Sequence, residues 1–116
     1  MSAFAIRTER LEGPISSIAV EGELDLANAE PFHSALEAAR TDDDAPILLD
    51  LSGCEFLDST ALAIVVNAWR DCALEGKRVV ISGCTGQVRR VVAVTQLRQE
   101  IPIFETAVEA AAHLRD

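Results

Sequence analysis

Asp58-Ser59-Thr60 sets a carboxylate beside two hydroxyls, and these are the residues with the clearest chemical potential in the chain. A hydroxyl that works as an enzyme nucleophile needs a base within hydrogen-bond reach and a third group to orient that base. The two histidines, His33 and His113, fall on segments that read as helices after other strands, and no glycine elbow surrounds Ser59. No catalytic residue is assigned, and the chain is expected not to be an enzyme. A hydroxyl at the start of a helix has other uses. Ser and Thr are preferred N-caps, accepting a hydrogen bond from free backbone amides. The same amides and the positive end of the helix dipole favour negative charge by about 0.3–1 kcal/mol, so a phosphoryl group there leaves the helix intact. Such a group on Ser59 adds about −1.5 to −2 charges. Beside Asp58, and with Asp25 as a second candidate neighbour, it makes the loop strongly acidic and expels a partner held by apolar or acidic contacts. Position alone leaves capping and modification both open.

Other clusters carry less. Asp42-Asp43-Asp44 lacks the alternating ligands, central Gly and terminal Glu of a calcium loop, and Gly83-Cys84-Thr85-Gly86 lacks the Lys and spacing of a P-loop. Cys54, Cys72 and Cys84 are odd in number and far from metal-ligand spacing, so they are expected as reduced, packed thiols, with neither disulfide nor metal. No cofactor is implied. The formal charge of −9 opposes nucleic acid and anionic lipid, and the one adjacent basic pair, Arg89-Arg90, reads as a solvated helix face. The start, Met1-Ser2-Ala3-Phe4, lacks the pattern of a signal peptide, and no apolar run approaches the ~20 residues that span a bilayer. A cytoplasmic protein without membrane insertion is expected.

The 116 residues suit one domain, spanning 1–116, with a core of Ala, Val, Leu and Ile, because aromatics are only 4%. Gly13-Pro14 separates a strand from Phe4 to Arg7 from a second at Ile15 to Glu21, and Gly22-Glu23-Leu24-Asp25-Leu26 leads out of the sheet. Ala29, Phe32, Leu36 and Ala39 recur at helical spacing, predicting a helix from Asn28 to Arg40 before a solvated turn, 41–46. Ile47 to Leu51 is a near-continuous apolar run, as in a central strand buried on both faces, and Ser52 to Leu57 reads as a loop. Ser59 or Thr60 would then cap a helix carrying Leu62, Val65, Val66, Trp69, Cys72 and Ala73, stopped at Gly76. A strand from Arg78 to Ser82, a helix with Val88, Val91, Val92 and Thr95 on one face, a strand from Ile101 to Phe104 and a helix from Thr106 to Leu114 complete the chain. Thr106 with Glu109 resembles a capping box. The order β-β-α-β-α-β-α-β-α predicts an α/β fold with one mixed, mostly parallel sheet of about five strands covered by helices. Sites in such sheets gather beyond the carboxyl ends of central strands, where Asp58-Ser59-Thr60 falls.

Over nearly its whole length the chain resembles the STAS family, and within it the bacterial anti-sigma factor antagonists. The resemblance lies in Gly22-Glu23-Leu24-Asp25, in Leu49-Asp50-Leu51 followed by Phe56-Leu57-Asp58-Ser59-Thr60, and in Val88-Arg89-Arg90-Val91-Val92 through Leu97 to Ile103-Phe104. It implies that Ser59 is phosphorylated by an anti-sigma factor with ATP-dependent serine kinase activity, that unmodified protein binds that factor and releases a sigma factor, and that a phosphoprotein phosphatase restores binding. Thr60 would be a neighbouring hydroxyl, and Asp25 and Asp58 would flank the site, presenting the hydroxyl or repelling the phosphate. Asp50 ends a strand and is equally read as merely exposed. Ala61 stands where members commonly have Gly, and its methyl is expected to limit close backbone approach. The alternative is a STAS binding subunit of a transport or signalling complex that is never phosphorylated.

Overall fold

Ile47, Leu48 and Leu49 are each fully buried, and alternate side chains feed two different cores, so the strand that carries them is the centre of the molecule. The computed structural model describes residues 4–94 and 100–116. In them β1 (Ala5–Leu11), β2 (Ile15–Leu24), β3 (Ile47–Leu57), β4 (Val79–Ser82) and β5 (Ile103–Phe104) form one sheet in that spatial order. β1 is antiparallel to β2, and the other neighbours are parallel, the mixed and mostly parallel sheet expected. Helices α1 (Ala29–Asp42), α2 (Ser59–Leu74) and α3 (Gly86–Val94) pack on one face through Phe32, Leu36, Val65, Cys72, Val88 and Val92. α4 (Ala107–Arg115) covers the other through Ala110, Ala111 and Leu114.

β3 departs most from expectation. It continues through the segment predicted as a loop and ends at Leu57, not Leu51. Past Leu49 its buried residues are Leu51, Cys54 and Leu57, which follow neither strand nor helix periodicity. The cause is the register with β2, which shifts between Ala19 and Glu21 and again between Gly22 and Glu23, β3 supplying the extra residue each time. Such bulges reset which side chains face inward and bend the strand.

The other differences concern boundaries. β1 extends to Leu11, because the ladder from Ala5↔Glu21 to Leu11↔Ile15 takes in Thr8, Glu9 and Arg10, which are exposed on an edge strand. Gly22, Glu23 and Leu24 stay in the sheet, opposite Cys54, Phe56 and Leu57. α1 gains Thr41 and Asp42, with the Thr41 hydroxyl donating to Glu37 O at 2.9 Å. β5 is shorter than predicted, since Pro102 has no N–H to donate. Thr106 caps α4, as its spacing from Glu109 predicts, so the helix proper starts one residue later at Ala107: Glu109 N–H donates to Thr106 Oγ1 at 3.2 Å and the hydroxyl donates to Glu109 Oε1 at 3.0 Å. Thr95 and Leu97 lie outside the described residues.

Two polar contacts tie the helical layer to the sheet. Asp43, expected in a solvated turn, pairs with Arg10 of β1 and accepts from Ala45 N at 2.9 Å. The Arg10 guanidinium, followed by the Ala45 amide, holds the Asp43 carboxyl below the usual carboxylate range. Lys77 is only 9% exposed just before β4, and its ammonium donates to Ala39 O at 3.0 Å, Arg40 O at 2.7 Å and Asp43 O. These are orphan carbonyls of the α1 C-terminus, where a cation also suits the dipole.

Replacing Lys77 by Met strands those carbonyls, and chemical unfolding should find the variant about 2–4 kcal/mol less stable. Arg7→Ala, which removes an exposed 3.5 Å pair with Glu21, should move stability by less than about 0.5 kcal/mol. Asp43, with its folded-state pKa depressed, stabilises above its unfolded pKa and loses that contribution as pH falls through the folded value. Titrating stability from about pH 5 to about pH 3 should therefore show a smaller loss in Arg10→Ala than in the parent.

Candidate functional site

β2 and β3 reach the same height at their carboxyl ends, where Leu24 pairs with Leu57 and Asp58 N–H donates to Leu24 O at 3.2 Å. After β2 the chain makes one 3-10 turn, Leu26–Asn28, capped by Asp25, whose Oδ1 accepts from Ala27 N at 3.0 Å. After β3 it enters α2. Asp58 serves both segments: Oδ1 accepts from Ala61 N at 3.0 Å and Oδ2 from Leu26 N at 3.1 Å.

Asp58, in extended conformation, is thus the N-cap of α2, and Ser59 is the first helical residue, correcting the expectation that Ser59 or Thr60 caps it. Asp is as good a cap as Ser and adds a charge that the dipole favours, so the earlier residue takes the amide. Ser59 is left exposed with its hydroxyl outside the cap, and Thr60 is half-buried. Ala61 is fully buried in the core. Its methyl packs into the core with Leu57 and Val65 as fellow members of the cluster. Asp25 is engaged on its own turn. Asp50 lies further back in β3, its Oδ1 accepting from Ser52 N at 3.0 Å.

Beside Ser59, Phe56, Leu62, Val91 and Val94 line a groove of about 440 Å³ between α2 and α3, with Arg90 among its lining residues. Phe56 and Val94 are exposed, as is Leu26 on the turn held by Asp58. Arg90 therefore belongs to a shaped surface, beyond the solvated face read for the basic pair. Gln87, which the sequence did not single out, lines the same groove and bonds the Leu57 backbone in both directions: Leu57 N–H donates to Gln87 Oε1 at 2.9 Å and Gln87 Nε2 donates to Leu57 O at 2.9 Å. A lone Gln on a helix carries no pattern that would have marked it.

The remaining candidates fall elsewhere. His33 is exposed on α1, and His113 is exposed on α4, its ring 5.0 Å from that of Phe104; neither lines the groove. Cys54, Cys72 and Cys84 are free and buried, and burial pushes each thiol up, Cys84 to about 11. Among the described residues no group of three or more His, Cys, Asp or Glu is placed to hold a metal, and no helix is long and apolar enough to cross a membrane. Asp58→Ala removes a cap and the anchor of the neighbouring turn; urea unfolding should register a loss of about 1–2 kcal/mol, with Asp58→Asn losing less.

Comparison with known proteins agrees with this architecture. The family model described as "Mlab, STAS domain" matches residues 8–105. The anti-sigma-B factor antagonist of Listeria monocytogenes is 28% identical over 86 residues, covering 74% of this chain and 75% of the relative. An anti-sigma factor antagonist from Mycobacterium paratuberculosis superimposes with TM-score 0.89 at 27% identity, over 98% of this chain and 96% of that one. The anti-sigma factor antagonist SpoIIAA in its unphosphorylated form shares the fold with TM-score 0.82 at 21% identity, over 96% of each chain. Phosphorylated Bacillus SpoIIAA does so with TM-score 0.77 at 20% identity, over 96% of this chain and 100% of that one. With a family match that runs along most of its length, the chain belongs to the STAS domain family.

Proposed function

We propose that the chain is an anti-sigma factor antagonist: unmodified, it binds an anti-sigma factor through the surface around Ser59 and so frees a sigma factor, and phosphorylation of Ser59 ends that binding. The observation that carries this reading is the exposed Ser59 at the first position of α2, released from capping by Asp58 and bordering an apolar groove. The names of the relatives in Listeria and Mycobacterium point the same way.

The kinase is the anti-sigma factor itself, using ATP. Ser59 Oγ forms a bond to the γ-phosphorus, the bond from that phosphorus to the β,γ-bridging oxygen breaks, ADP leaves, and the hydroxyl proton passes to a base on the kinase. A phosphatase later directs water onto the phosphorus, giving inorganic phosphate and the original hydroxyl. Both steps belong to the cytoplasm, where ATP and the transcription machinery are. Asp58 holds the acceptor's backbone, Asp25 shapes the adjoining turn, and Thr60, half-buried, is a neighbouring hydroxyl that is not the acceptor. A phosphate beside Asp58 must lose water or face apolar partner surface, and each 1.4 kcal/mol of that penalty weakens binding about tenfold.

The test incubates the chain with its cognate anti-sigma kinase and ATP, maps the phosphate by mass spectrometry, and titrates Ser59→Ala and Ser59→Asp against the same partner. The expected result is phosphate on Ser59, parent-like binding by Ser59→Ala, and binding weaker by at least about tenfold in Ser59→Asp. If Ser59 stays unmodified and both variants bind like the parent, the switch fails and a binding subunit that is never phosphorylated takes its place.

A further inference from the structure

Resting on the Ser59 proposal, we infer that Gln87 is a positioning residue for phosphoryl transfer, fixing the backbone from which the acceptor hydroxyl projects. β4 accompanies β3 only from Ile47↔Val79 to Asp50↔Ser82, while β3 runs on to Leu57. On the β2 side the end of β3 is satisfied, with Leu24 in register with Leu57. On the other side the strand has outrun its neighbour, and Leu57 is fully buried, at 1% exposure, away from water that could replace the missing ladder.

The Gln87 side chain stands in for the absent strand. A primary amide presents its oxygen and one of its N–H groups along a single edge, so this one side chain accepts from Leu57 N–H and donates to Leu57 O, and both bonds measure 2.9 Å. Leu57 directly precedes Asp58 and Ser59, so the clamp holds the residue from which the cap and the hydroxyl follow. Gln87 also lines the groove where Phe56 and Leu62 are open to a partner. A partner seated there presses on the residue that sets the loop. Phosphoryl transfer depends on in-line placement of the attacking oxygen, and a misplacement of about 1 Å costs up to about 100-fold in rate. A residue that only walls the groove would act on partner affinity, whereas a positioning residue acts on turnover.

The test compares the full chain with Gln87→Leu, which keeps the bulk and loses both bonds, and Gln87→Glu, which keeps the acceptor for Leu57 N–H. Hydrogen exchange is read at the Leu57 and Val80 amides, and initial rates of Ser59 phosphorylation by the cognate anti-sigma kinase with ATP give kcat and KM. Expected for Gln87→Leu are Leu57 exchange faster by about tenfold with Val80 unchanged, and kcat lower by about tenfold with KM within about threefold, Gln87→Glu falling between. A parent modified on Ser59 and a Gln87→Leu variant with equal kcat, or with its loss confined to KM, overturns the positioning role alone. Unchanged Leu57 exchange does so as well. A parent that is never modified on Ser59 overturns the underlying switch, and this role with it.

Discussion

Both oxygens of the Asp58 carboxylate accept a backbone N–H, one from α2 and one from the turn that follows β2. Each bond is charge-assisted, and together they join segments that are distant in sequence but end side by side. This is possible only because Leu24 and Leu57 finish level, and they finish level because β3 absorbs two extra residues in its bulges. Without the bulges the two ends would be offset and a single carboxylate could not span them. The height of one strand end therefore determines where the helix starts, which residue caps it, and which hydroxyl is left for solvent.

The surroundings of that hydroxyl combine two opposing tendencies. Apolar side chains from Leu26, Phe56 and Val94 are held exposed, which favours association, while the chain carries a net charge of −9 that disfavours crowding more negative charge onto the same surface. A surface of this kind binds well when neutral at its centre and poorly when a dianion is added there. The helix amides soften the effect on the fold itself, so the cost falls mainly on whatever is docked.

How much was legible in the sequence follows from how local each signal is. The strand–helix order, the central position of Ile47 to Leu49 and the emergence of Ser59 beyond that strand were readable, because burial on both faces leaves an unbroken apolar run and helices leave a regular stripe. The true end of β3 was not, since bulges break the alternation on which a strand is recognised. Nor was the cap: Asp58, Ser59 and Thr60 are all good capping residues in succession, and only the backbone bend decides among them. Lys77 and Gln87 were silent for another reason. Their partners, the α1 carbonyls and the Leu57 backbone, lie 30 or more positions away and are peptide groups, which leave no trace in residue type.

The two margins of the sheet have a consequence for assembly. β1 presents Arg7, Glu9 and Arg10 to solvent, and at the opposite margin β5 is only two residues long. A strand edge invites another chain to add to it, and mixed charges or extreme brevity are what discourage that addition. Both routes to runaway stacking of copies are thereby blunted, whereas the groove between α2 and α3 stays open beside Ser59.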